Sequence, residues 1–241
     1  MLLAVDIGNS AIKLGVFDDR DDLIERHTLD PESSAVASDF INSPIKRAIV
    51  SSVVPRLTPL VSASIEAKFK IEPDIVTNDR DLGLKIRYRP IEDAGNDRLV
   101  NSAAAAHLYG VPCVVISFGT ATTIDVVSKD QELLGGLIAP GVKMSAAALH
   151  ERTARLPLVE IDGEFSPTSE TTDTSIRSGI ILSQIGLVET VLSRISVNIG
   201  KPKVIATGGF AAKFAELCDT IDIVDRDLTL KGLCRLAKSN G

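Results

Sequence analysis

Two stretches of the chain carry residue types that hold phosphate groups, at matching positions. The first is Ala4-Val5-Asp6-Ile7-Gly8-Asn9-Ser10-Ala11-Ile12-Lys13-Leu14-Gly15-Val16-Phe17. The second is Val115-Ile116-Ser117-Phe118-Gly119-Thr120-Ala121-Thr122-Thr123-Ile124-Asp125-Val126-Val127. In each, an apolar strand runs into a glycine and small polar residues, then into a second strand with β-branched residues. Displaced by 111 positions, Gly8 falls on Gly119, Asn9 on Thr120 and Asp6 on Ser117. A glycine at such a turn lets backbone approach a phosphate, and the amides and hydroxyls after it supply donors. Two such turns on one ligand would clamp a triphosphate, which is the chemistry of phosphoryl transfer.

Asp6, at a strand end beside Gly8, can hold a water-solvated Mg²⁺ that bridges nucleotide phosphates. Asn9, Ser10 and Lys13 can donate to phosphate oxygens. An ordinary hairpin turn has the same composition, and it is the second copy, with three hydroxyls in Gly119-Thr120-Ala121-Thr122-Thr123, that favours the functional reading.

Gly95-Asn96-Asp97-Arg98 opens an alanine-rich helix. Asp97 falls in its first turn, where the positive end of the helix dipole keeps a carboxylate ionised. Such a carboxylate can accept a proton from an attacking hydroxyl, although in a loose phosphoryl-transfer transition state it acts mainly by positioning the nucleophile. Arg98 suits a carboxylate or a phosphate. Helix capping with an exposed ion pair accounts for the same local sequence. Thr207-Gly208-Gly209 lies between a strand and a helix, where paired glycines allow flat approach of a nucleoside; a plain strand-to-helix turn has the same composition. The dinucleotide-binding GxGxxG pattern is missing, and His27, His107 and His150 are isolated from one another.

These residues need a scaffold. The 241 residues suffice for one large domain or for two of roughly 100–130 residues. The 44% apolar and 24% charged composition is that of a globular chain, and a net charge of −6 without a dense basic cluster disfavours nucleic acid. Cys113, Cys218 and Cys234 form no metal-binding spacing, and Cys113 reads as a buried reduced thiol. Only four apolar residues separate Met1 from Asp6, too few for a signal peptide or a membrane span, so a cytoplasmic protein without membrane contact is expected.

Residues 2–7, 11–17 and 23–28 read as a three-stranded antiparallel meander, with Asp18-Asp19-Arg20-Asp21-Asp22 as a solvated turn rather than a calcium loop. Strands at 47–54 and 74–77 and helices at 57–69 and 97–109 follow. The plan restarts after Pro112, with a second meander at 113–118, 122–128 and 133–138 and helices at 142–152 and 174–197. Strand 203–207, helix 210–217, strand 221–224 and helix 228–238 complete the chain. The pattern predicts an α/β protein duplicated into halves at 1–110 and 111–241, each with a mixed five-stranded sheet, and a ligand cleft between them.

Taken together, Asp6-Ile7-Gly8-Asn9-Ser10, Gly95-Asn96-Asp97-Arg98, Gly119-Thr120-Ala121-Thr122-Thr123-Ile124-Asp125, Arg155-Leu156-Pro157-Leu158-Val159 and Asp227-Leu228-Thr229-Leu230-Lys231-Gly232 resemble the type III pantothenate kinases. These belong to the acetate and sugar kinase, heat-shock protein and actin superfamily, whose fold is a duplicated ribonuclease H-like, actin-like ATPase. The resemblance runs essentially the full length. It implies ATP-dependent phosphorylation of pantothenate, the first step of coenzyme A synthesis, by a homodimer using Mg²⁺ and a monovalent cation, K⁺ or ammonium. By it, Asp6, Ile7, Gly8, Asn9, Ser10, Ala11, Ile12, Lys13 and Thr120 bind ATP, and the Gly208-Gly209 turn read above is where the nucleoside would approach. Tyr88, Gly95, Asn96, Asp97, Arg98 and Thr174 bind pantothenate, and Asp97 is the proton acceptor.

The chain departs from the family at Ser117, where an aspartate ligates the monovalent cation. A hydroxyl brings no charge, so weakened cation binding and altered K⁺ dependence are expected. Asn96 stands for a usual alanine and Ser10 for a usual threonine. Ser117 also leaves room for a degenerate homologue that binds nucleotide or pantothenate without turnover, as a regulatory or accessory factor, against which Asp6, Asp97, Arg98 and Thr120 argue. A kinase for another small alcohol is a third reading, which the Tyr88, Asp97, Arg98 and Thr174 set weighs against.

Overall fold

The computed structural model describes residues 1–239. The chain divides into two compact units: Met1–Leu108 with the segment that begins at Asp227, and Tyr109–Arg226.

In the first unit, β1 (Leu2–Ile7), β2 (Ile12–Phe17) and β3 (Leu23–Leu29) form the expected meander. The turn between β2 and β3 is held by Asp18, whose Oδ1 accepts from the Arg20 and Asp22 amides at 2.8 and 3.0 Å. β4 (Arg47–Ser52) runs parallel to β1, and β5 (Asp74–Ile75) parallel to β4, giving the sheet order β3-β2-β1-β4-β5. β6 (Lys85–Ile86) is a short strand in the long connection that follows.

Strand alternation divides this sheet into two faces. Leu3, Val5, Ile7, Leu14, Val16, Ala48 and Val50 pack with α1 (Thr58–Phe69) and with a 3-10 segment, Pro31–Phe40, to which the sequence pattern assigned no element. Intervening residues such as Asp6, Lys13, Gly15 and Ser51 therefore point to the other face, where α6 (Leu228–Ser239) lies across β1, β2 and β4. A Cβ on Gly15 would lie 3.0 Å from a Leu230 methyl. α6 in turn packs on α2 (Asn96–Tyr109), where a Cβ on Gly232 would come within 2.8 Å of Val100 Cγ1. The buried Thr229 hydroxyl donates to Asn101 Oδ1 at 2.8 Å, tying the same two helices. The boundary at 110/111 gives the last helix to the second half, whereas packing joins it to the first.

The second unit repeats the plan. β7 (Cys113–Phe118), β8 (Ala121–Val127) and β9 (Glu132–Pro140) form the second meander. β10 (Lys203–Thr207) runs parallel to β7, and β11 (Ile223–Val224) parallel to β10. Five strands of the second sheet thus follow the order β9-β8-β7-β10-β11, the same path as β3-β2-β1-β4-β5. Val114, Ile116, Phe118, Ile124, Val126, Val204 and Ala206 pack against α3 (Val142–Glu151), α4 (Thr172–Ile199) and α5 (Ala211–Leu217). α4 is long and apolar enough to cross a membrane by length and composition, but Ile176, Ile180, Ile181, Val188, Val191 and Leu192 are spent on this core. Burial pushes the thiols of Cys113 and Cys234 up to about 12 and that of Cys218 to about 11, so all three are protonated at neutral pH.

Candidate active site

In the first unit the hairpin closes with Gly8 N–H donating to Ala11 C=O at 3.0 Å, which leaves Asn9 and Ser10 exposed at its tip. Register places Asp6 directly opposite Lys13 on β2 and beside Ser51 on β4. Lys13 Nζ lies 3.7 Å from Asp6 Oδ2. Burial raises the Asp6 carboxyl to about 6, Lys13 opposes the rise and Asp97 adds to it. Asp97, at the start of α2, is itself raised by burial, while the Arg98 amide and guanidinium and Lys13 lower it. Three charged residues predicted separately, from β1, β2 and α2, thus share one electrostatic environment.

The approach to α2 is built with care for Asp97. Asn78 Nδ2 donates to the carbonyls of Ile91 and Ala94 at 2.9 and 2.7 Å, fixing the loop before Gly95. Gly95 C=O accepts from the Arg98 and Leu99 amides, starting the helix. A Cβ on Gly95 would fall 2.7 Å from Asp97 Oδ1, so glycine here makes room for the carboxylate itself. Asn96 Nδ2 donates to Val76 C=O at 3.0 Å, while its buried Oδ1 has no partner. Arg98 is buried, with its guanidinium carbon 5.2 Å from the centroid of the Tyr88 ring, a cation–π pair. The structure thus brings Tyr88 beside the Gly95-Asn96-Asp97-Arg98 turn.

In the second unit the hairpin closes with Gly119 N–H on Ala121 C=O at 3.1 Å, and Thr120 is exposed at its tip. Neither Gly8 nor Gly119 adopts a left-handed backbone. A Cβ on Gly119 would meet only ordinary contacts, so packing does not demand a glycine there. Ser117 faces Thr123 on β8 and Thr207 on β10, a row of three hydroxyls with no charge. Asp125, two residues further along β8 on the same face, is buried.

Gly208 and Gly209 behave differently from each other. Gly208 has φ +94°, and a Cβ on it would lie 2.5 Å from Phe118 C=O. Its freedom is used to seat this turn against the second hairpin. Gly209 faces open space, where a ligand can approach. Thr174 is the third residue of α4 and completes a capping box with Thr171, its amide donating to Thr171 Oγ1 at 3.2 Å. Helix capping alone accounts for a threonine at this position.

Several supporting residues escaped the sequence reading. Gly141 N–H donates to Thr120 C=O at 3.1 Å, and a Cβ there would fall 2.3 Å from that oxygen. Gln184, buried on α4, accepts from the Thr122 hydroxyl at 2.6 Å and donates to Pro140 C=O at 3.0 Å. Ser51 and Thr207 are buried hydroxyls without partners. Only the proline-glycine turn before α3 gave a signal for any of these.

A family model described as "Type III pantothenate kinase" matches residues 2–194. Among solved structures, a Campylobacter jejuni protein assigned to the Baf family of transcriptional activators is similar with a TM-score of 0.66 at 20% identity, covering 99% of this chain and 98% of that one. A Listeria monocytogenes protein assigned as an N-acetylmannosamine kinase gives 0.54 at 11% identity, covering 100% and 99%. The Clostridium difficile activator of 2-hydroxyisocaproyl-CoA dehydratase, solved with bound ADPNP, gives 0.50 at 13% identity, covering 99% and 96%. At these identities the likenesses establish the fold, that of the sugar kinases and actin-like ATPases.

Proposed function

We propose that this chain, which belongs to the type III pantothenate kinase family, transfers the γ-phosphoryl group of ATP to the primary hydroxyl of pantothenate. The observation that carries the reading is the grouping of Asp6, Lys13 and Asp97: Lys13 lies 3.7 Å from Asp6 and acts on both carboxyls, and Asp97 acts on Asp6.

In this reading the hairpin tips at Gly8-Asn9-Ser10 and Gly119-Thr120 donate to the ATP phosphates, and Gly209 offers flat backbone to the nucleoside. Lys13 neutralises charge on the phosphates. Arg98 and Tyr88 hold pantothenate, with the arginine suited to its carboxylate. Asp97 orients the attacking hydroxyl; as the oxygen–phosphorus bond forms and ADP departs, the proton passes to its carboxylate.

The chemistry at Asp6 fits Mg²⁺: a buried carboxylate beside a hydroxyl without a partner. Among the described residues no three acidic, histidine or cysteine side chains cluster as a metal site, so the ion would be held by Asp6 and by water. Held there, it would supply positive charge to offset that of the phosphates. The Thr207–Ser117–Thr123 row lacks the carboxylate the family uses for a monovalent cation, and no step is derived through that ion. A cytoplasmic homodimer, without nucleic-acid or membrane partners, completes the reading.

The test is ADP release from Mg-ATP and pantothenate, with and without K⁺ or ammonium, beside Asp97→Asn. Pantothenate-dependent release that vanishes in Asp97→Asn supports the kinase. Folded protein that binds pantothenate without turnover under any cation supports the second reading, a binding protein in a regulatory role, which Ser117 favours. Turnover of another small alcohol alone would support a different substrate.

A further inference from the structure

We propose that Ser51 is a positioning residue for the hydrated Mg²⁺–phosphate group, completing with Asp6 a two-residue cradle; this inference rests on the kinase reading above. Ser51 is the penultimate residue of β4 and lies in register beside Asp6 of β1. In-register neighbours point to one face, and Ala48 and Val50 pack into the core on the opposite face. Ser51 therefore stands on the Asp6 and Lys13 side of the sheet.

Ser51 is fully buried, and its hydroxyl has no hydrogen-bond partner. Buried polar groups are almost always paired, and leaving one unmade costs stability. An alanine at this position would avoid that cost, so the hydroxyl needs another justification. Its neighbour Ser52 is satisfied within the fold, its Oγ accepting from the Val54 amide at 3.0 Å and the Thr58 hydroxyl at 2.9 Å.

The duplicate half repeats the arrangement. Thr207 ends β10, which pairs with β7 as β4 pairs with β1, and it stands beside Ser117, the counterpart of Asp6. Thr207 is buried, and its hydroxyl also lacks a partner. Two orphan hydroxyls at one topological position, each beside a phosphate hairpin, are not explained by the packing of either core. A ligand shell rich in metal-bound water explains both, because a hydroxyl can accept from such a water.

The experiment compares wild type with Ser51→Ala and with Ser51→Cys, which keeps the side-chain shape with a slightly larger atom and only a weak hydrogen-bonding group. It reads Mn²⁺ binding in the presence of ADP by electron paramagnetic resonance, ADP binding without metal by calorimetry, and the unfolding midpoint of unliganded protein. We expect both variants to hold or raise the midpoint, to leave metal-free ADP binding unchanged, and to weaken Mn²⁺–ADP binding by about two- to tenfold, the loss of one hydrogen bond. Unchanged Mn²⁺–ADP affinity in both variants, or a lowered midpoint in both, would overturn the inference and make Ser51 a packing residue. Wild-type protein that binds no Mn²⁺–ADP would instead sink the kinase reading, and this inference with it.

Discussion

Asp6 and Lys13 face each other directly across β1 and β2, with Lys13 Nζ 3.7 Å from Asp6 Oδ2. The pair lies on the sheet face opposite the apolar core, and Asp97 acts on the Asp6 charge from α2. A buried carboxylate and a nearby second one repel, so the ammonium is what keeps Asp6 available in its charged form.

Removing that ammonium in Lys13→Met raises the Asp6 midpoint above its present value of about 6. Carboxyl ¹³C titration of the unliganded protein reads this directly. The same variant loses a charge-assisted donor to phosphate, which weakens ATP binding by roughly tenfold or more. A midpoint unmoved or lowered in Lys13→Met contradicts the coupling.

Gly95→Ala separates positioning from folding. Its Cβ would fall 2.7 Å from Asp97 Oδ1, a side-chain atom that can swing aside, while the next neighbour, Val53 Cγ1, is 3.7 Å away. The fold absorbs the methyl at a cost of about 1 kcal/mol or less. Turnover falls by roughly tenfold or more because the carboxylate is displaced from the attacking hydroxyl. Steady-state kinetics beside a thermal melt decides; equal retention of both would remove Asp97 from the reaction.

Gly208→Ala gives the opposite pattern. The methyl would lie 2.5 Å from Phe118 C=O and 2.9 Å from Phe118 N, backbone atoms of β7 that cannot swing aside, at a φ of +94°. Strain of about 1–3 kcal/mol plus displacement of the turn lowers stability before any ligand is added. Gly209→Ala meets open space, leaves stability nearly unchanged and raises the KM for ATP. Denaturant melts of both variants, with ATP kinetics for the second, check the contrast.

The hairpins were legible because an apolar strand, a glycine and small polar residues recur in order, and the strands because apolar alternation is local. What depended on pairing was not. The hairpin loops differ by one residue, since β1–β2 closes at Ile7 and Ile12 but β7–β8 at Phe118 and Thr122. Lys13 opposite Asp6 therefore corresponds to Thr123 opposite Ser117, whereas a fixed displacement of 111 matches Lys13 to Ile124. Ser51 and Thr207 come beside the hairpins only through the register of parallel strands distant in sequence. The last helix joined the wrong half for the same reason: amphipathic spacing shows that a helix buries a face, not which sheet receives it. Gly232, which lets α6 approach Val100 and Ala104 of α2, held that information without a local sign.

Asp6 also fixes a pH dependence with a definite sign. Burial raises its carboxyl from 3.8 to about 6, so the folded protein binds this proton more tightly than the unfolded chain. The contribution of Asp6 to stability is therefore most favourable below about pH 4 and is lost as pH rises through about 6, an amount on the order of 3 kcal/mol. Asp6→Asn removes the titration. Its unfolding free energy, measured without ligand, should gain on that of wild type between pH 4 and 7 and then run parallel to it. Divalent cation with nucleotide should close the gap in wild type alone, because the ionised carboxylate then has a ligand. A difference between the two proteins that stays flat from pH 4 to 7 would show that Asp6 is charged at no cost, and would remove the tension between stability and ligand binding at this residue.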